Sequence, residues 1–498
     1  MKRAAHQAGA LLLSVLVTSC GASPPHAPAA AAGPAAGAAA SAPRVVSAAK
    51  GFGGMVVAPE PNAAQVGQQI LAAGGDAADA AVAMGFALSV TLPSRAGLGA
   101  AGACLAFEAG AKAANGGTPR AILFTPQAAA VPPSAAAADR PAALPLLPRG
   151  LYLLHHIYGH LPFEQLVAPA AEMARAGVPA SRPLVRDLDV VAQPLFADPG
   201  AQAVFAPGGR RLTVGTVLRQ PELAAVLARI KLAGVGDFYQ GELARLIVQG
   251  SAAAGGPIGE QALRQALASV AAPLVLPYGT DRVAFLPPPA DGGLAAAAAF
   301  ETLAQHPAAV QQAAARALAV AAAWRNGGGS AAALLHATPP AASLPPLPAS
   351  ATFLAVDRTG GAVICATTMD NLFGTGRMVP GLGFLLAASP ARTPPPLLAA
   401  ALAWNPRARA FRAAVGGAGQ DGAALAAAVA MANTLRTGQA MPVTVPEPGR
   451  ANVIACSRYL PGGGGRCAAI ADPRGLGMAA GAIPPPPQNS EVHPIIIR

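Results

Sequence analysis

The feature that most constrains this chain is a pair of apolar helical runs divided by a glycine turn. Residues 63–73 read as a helix closed by Gly74-Gly75, and Asp76 is placed to cap a second run, 77–90. That second run is apolar almost throughout, and a helix apolar on all sides must be buried. A strand (GMVVA, from 54) precedes the pair, and the small residues Gly97 to Cys104 lead into another. Aromatic residues are only 4% of a chain that is 53% hydrophobic, so alanine must do much of the core packing. Helices are expected near 151–176, 220–232, 241–252, 260–268, 294–324 and 422–435. Ala351–Asp357 and Ala362–Thr368 read as two strands around an Arg358-Thr359-Gly360-Gly361 hairpin turn. The pattern mixes α and β without a repeat.

The N-terminus carries an address. Lys2 and Arg3 precede a short apolar stretch, Leu11 to Val17, too short for a permanent span. Val17-Thr18-Ser19-Cys20 resembles a bacterial lipobox, which implies a signal peptide over 1–19, lipid on Cys20 and attachment to the periplasmic face of the envelope, at the outer membrane. Residues 20–50 are rich in Ala, Pro, Gly and Ser and read as a tether. Although the formal charge is +11, the arginines are scattered without interleaved aromatics, which argues against a nucleic-acid partner. Cys456 and Cys467 bracket a glycine-rich loop and could close a disulfide in an oxidising compartment. Cys104 and Cys365 sit in apolar strand-like runs and are expected to be small core residues. His156 and His160 lie four apart and read as one face of a surface helix; no metal site is expected.

Four further blocks are informative in order: 54–83 (GMVVAPEPNAAQVGQQILAAGGDAADAAVA), 162–181 with 237–248, 353–376 (FLAVDRTGGAVICATTMDNLFGTG) and 472–481 (DPRGLGMAAG). Together they resemble the gamma-glutamyltranspeptidase family of N-terminal-nucleophile hydrolases, over about residues 54–482. The resemblance implies an α+β fold, a four-layer αββα sandwich, with a large-subunit-like region over 51–349 and a small-subunit-like region over 350–498 in one folded domain. It also implies a precursor that cuts itself. The residue freed at the new N-terminus then supplies both the nucleophilic hydroxyl and, through its α-amino group, the base, so no cofactor is needed.

The gapless block places Ser350 at the family's nucleophile position. The same residue reads equally as a loop serine before a strand. Thr368 falls where the family keeps a second hydroxyl that steadies the nucleophile, and Asp370 where it usually has a substrate-contacting Asn. The oxyanion-hole diglycine corresponds to Gly419-Gln420. Other positions depart. The stretch Ile122 to Pro126 lacks the arginine that binds the substrate α-carboxylate. Arg392 stands where an acidic residue grips the α-amino group, and two substrate-binding serines correspond to the region Ala399–Ala401. Loss of two charge-assisted contacts costs roughly 4–6 kcal/mol, so glutathione is expected to be a poor substrate. Two readings follow. One is an envelope-anchored amide hydrolase or acyltransferase acting on a small-molecule or peptide amide, with Arg392 taking an acyl-chain carboxylate. The other is a catalytically inactive, lipid-anchored binding or scaffold protein.

Overall fold

The structure is a computed structural model that describes residues 45–47, 52–110, 113, 116–130, 139–462 and 466–483. The lipobox and nearly all of the tether lie outside the described residues. The described residues belong to one compact unit.

Two seven-stranded sheets form the centre, and every neighbouring pair of strands in them is antiparallel. The first runs Val46–Ser47, Cys467–Ile470, Arg450–Leu460, Ala410–Ala418, Ala399–Asn405, Asp281–Phe285 and Leu274–Tyr278. The second runs Met478–Ala482, Gly54–Ala58, Ala351–Asp357, Ala362–Thr368, Ala101–Phe107, Arg120–Phe124 and Ser269–Ala271. Side-chain alternation assigns the faces. Along Ala351–Asp357, Leu354 and Val356 point between the sheets, where they join Ile364, Leu402 and Ile454. Phe353 and Ala355 point outward into the helices that include Ala77–Thr91. On the other sheet Val283, Phe285, Ala399 and Ala401 turn outward to meet Asp291–Gln305, Val310–Arg325 and Gly422–Thr437. The result is the four-layer αββα sandwich that the resemblance implied.

All fifteen residues of Ala77–Thr91 are buried, as an apolar circumference requires. Asp76 caps it, and a reciprocal bond from Asp79 completes a capping box. The expected helix near 294–324 is two helices, Asp291–Gln305 and Val310–Arg325, parted at His306-Pro307 because proline cannot continue the ladder. The expected helix at 151–176 likewise divides, into Leu147–Tyr158 and Phe163–Ala176.

Two expectations are corrected. Cys104 and Cys365 are not free core residues; they stand directly opposite each other on adjacent strands and form a disulfide. They are 261 residues apart, and only strand pairing brings them together. The Cys456–Cys467 bond forms in the same way across its hairpin. His160 does not share a helix face with His156. The helix ends at Tyr158 and Gly159 caps it, so His160 leaves the helix and pairs with Asp76. Within the stretch read as tether, Val46–Ser47 adds a short edge strand beside Cys467–Ile470.

Candidate active site

Strand Ala351–Asp357 is central in its sheet, and Ser350 is the residue before it. The approach to Ser350 is a short helix, Ala331–His336, followed by irregular chain from 337 to 349. Residues 337–346 are open or half-buried, but Leu347 is buried. The cause is polar as well as apolar. Gln420 Nε2 donates to Leu347 O at 2.8 Å, fixing the chain three residues before Ser350.

Ser350 is 1% exposed, and its hydroxyl has no hydrogen-bond partner among the described residues. Across the sheet, Ala351 pairs with Thr367, which sets Thr368 beside the Ala349–Ser350 peptide. The Thr368 hydroxyl donates to the carbonyl oxygen of Ala349 at 2.9 Å. That hydroxyl in turn accepts from the Asp370 N–H at 2.9 Å, so its own proton is directed at the Ala349 carbonyl. A donor therefore sits on the oxygen of the one peptide bond that Ser350 could attack from its own side chain.

Asp370 is 1% exposed, and neither of its carboxyl oxygens has a partner. Burial pushes its pKa up to about 8, so it carries a proton at neutral pH. Its backbone is left-handed (φ 54°), an uncommon conformation for a residue other than glycine.

A cavity of about 40 Å³ opens beside Ser350; Pro59, Arg95, Thr352, Arg450, Asn452 and Gly477 are among the residues that line it. Arg95 is held by Asp187, Nε to Oδ2 at 2.8 Å and Nη2 to Oδ1 at 2.5 Å, and Ser94 Oγ donates to the same carboxylate at 2.6 Å. Its remaining nitrogen, Nη1, is 3.4 Å from Ser350 O. Asn452 Nδ2 donates to Thr352 O at 3.0 Å, steadying the start of the strand. Asp472 and Arg474 form a salt bridge at 2.7 Å, with Asp472 also accepting from Ala451 N. Arg95, Asp187 and Asn452 carry no sequence signal: the Arg95–Asp187 pair is 92 residues apart and sits in no motif.

Ser350, Thr368 and Asp370 are thus brought together. The other sequence-derived positions are placed differently. Gly419 and Gln420 have positive φ (105° and 53°), and a Cβ on Gly419 would meet Pro448 O at 1.9 Å, so glycine is required there. Ala418, not Gly419 or Gln420, lines the cavity at Ser350. Arg392 is exposed on the turn after Ser389 and does not line that cavity.

The fold is shared with a known class. Cephalosporin acylase from Bacillus halodurans superposes with a TM-score of 0.71 at 22% identity, over 90% of this chain and 98% of that one. The sequence identifies the family. The model of the gamma-glutamyltranspeptidase family matches residues 63–327, more than half of the chain, and the protein belongs to that family. It is 28% identical over 250 residues to the glutathione hydrolase proenzyme of Bacillus subtilis (strain 168), covering 48% of this chain and 42% of that protein. It is 30% identical over 251 residues to the glutathione hydrolase proenzyme of Escherichia coli (strain K12), with the same coverage. The capsule biosynthesis protein CapD proenzyme of Bacillus anthracis is 27% identical over 192 residues, 39% of this chain and 34% of that protein. The chain thus matches less than half the length of these curated relatives. The family match ends at 327, before Ser350.

Proposed function

We propose that this protein cuts itself between Ala349 and Ser350 and then uses Ser350 to hydrolyse or transfer an acyl group from an amide. The observation that carries the reading is the Thr368 hydroxyl on the Ala349 carbonyl, beside an unpartnered Ser350 hydroxyl. In the cut, Ser350 Oγ attacks the Ala349 carbonyl carbon and negative charge develops on the oxygen that Thr368 already contacts. The C–N bond breaks, the Ser350 nitrogen takes the proton, and residue 349 is left as an ester on Ser350 Oγ. Water then opens the ester, giving an Ala349 carboxylate and a free Ser350 amine. That amine, with a reference pKa near 8, serves as the base in later turnovers. The Arg95 guanidinium nearby favours its neutral form.

The substrate is an amide other than glutathione. The stretch Ile122 to Pro126 offers no arginine for an α-carboxylate, and Ala399–Ala401 offers no hydroxyl. Denaturing electrophoresis and mass spectrometry of the purified protein test the reading: two pieces that part at Ala349–Ser350 support it, and a single uncut chain, as a scaffold would give, rejects it. The lipobox supports attachment to the envelope through lipid on Cys20. Metabolic palmitate labelling that Cys20→Ser does not abolish would refute that part alone.

A further inference from the structure

A groove of about 650 Å³ lies within the roughly 300–1,000 Å³ of small-ligand sites. It runs along Met478–Ala482, the outer strand of its sheet, and its lining includes Val46 from the other sheet and Ala471, just after that sheet's strand Cys467–Ile470. Gly477 lines both this groove and the cavity at Ser350, so the two spaces adjoin.

The lining is specific in its chemistry. Gln68 Nε2 donates to Gly481 O at 2.6 Å, which shows that Gly481 turns its backbone away from the neighbouring strand. By the two-residue period Ala479 turns the same way and presents an N–H and a C=O to the groove. Gln65 adds a side-chain amide. Arg182 is the one charged residue in the lining; it is exposed, and its guanidinium has no partner among the described residues. No acidic side chain lines the groove to oppose it. An extended chain with amide groups and one carboxylate complements the polar groups of this surface: strand-edge hydrogen bonds at Ala479, and a charge-assisted pair at Arg182.

We infer that the groove is a subsite for the remote, carboxylate-bearing end of a peptide-like amide whose reacting carbonyl lies at Ser350. The inference rests on the Ser350 reading for what the subsite serves, but its binding can be measured separately. Arg182 is a specificity residue; it is not a catalytic one.

The test is binding of two fluorescent N-acyl tripeptide probes, one with a free C-terminal carboxylate and one with a C-terminal amide, to the full mature chain carrying Ser350→Ala. The carboxylate probe should bind about two- to fivefold tighter than the amide, as one solvent-exposed charge pair predicts. Arg182→Gln should remove that preference and Arg182→Lys should retain part of it, with unchanged thermal melts. Equal binding of the two probes, no binding of either, a preference that survives Arg182→Gln, or self-association that occupies the groove would each overturn the inference. An uncut wild-type chain that still shows the preference would uphold the subsite while rejecting the Ser350 mechanism. A cut, active chain whose KM ignores Arg182 would do the reverse.

Discussion

Strand Ala351–Asp357 has two ends that were built differently. At its far end, Asp357 accepts from Ala77 N, from Thr359 N and Oγ1, and from Gly361 N, and both carboxyl oxygens are used. Nearby, Asp76 and Asp79 are likewise occupied by the capping box and by the chain at His160 and Leu161. At its near end, Ser350 Oγ, Thr367 Oγ1 and both oxygens of Asp370 are buried without partners. A satisfied buried network rigidifies a fold, whereas orphaned buried groups cost free energy and persist where function retains them. The far end anchors the strand, and the near end holds the groups to which the proposal assigns chemistry.

Substitutions break this contrast in a definite order. Asp370→Asn should give the largest stability change. The folded state keeps its proton up to about pH 8 and the unfolded state loses it near 3.8, so wild-type stability is highest below 3.8 and falls as pH rises through 8. Removing that penalty should stabilise the protein at pH 7 by up to about 4 kcal/mol. Thermal melts at pH 5 and 8 check it; a wild type no less stable at pH 8 than at pH 5, or a variant no more stable than wild type, would refute it. Thr368→Val should slow self-cleavage by about 10²–10³-fold, the effect of losing one oxyanion donor, and should lower stability by about 1–3 kcal/mol, because the buried Asp370 N–H and Ala349 carbonyl lose their partner. A time course of fragment appearance reads this directly. Asp357→Ala should lower stability by about 2–3 kcal/mol, through several orphaned donors, with a cleavage rate close to wild type. Urea titration measures it. His160→Ala should cost less than about 1 kcal/mol, because its pair with Asp76 is exposed.

Much of the frame was legible in the sequence. The hairpin strands match their expected bounds, because two short, largely apolar runs flank an unambiguous turn. The buried helix was legible because its apolar circumference admits no other setting. What was not legible depends on distant pairing. The Cys104–Cys365 disulfide, the Arg95–Asp187 clamp and the groove with Arg182 each join segments that only the fold brings together. At the site, sequence position pointed to Ser350, Thr368 and Asp370. It did not disclose that Thr368 contacts the peptide bond itself, since a strand threonine looks the same whether its hydroxyl is free or aimed.

The most direct test is intact-mass analysis of the wild-type protein beside Ser350→Ala. The account predicts two polypeptides for the wild type, the smaller beginning at Ser350, and one for the variant. A wild type recovered as one chain, or a Ser350→Ala variant cut at the same bond, would contradict it.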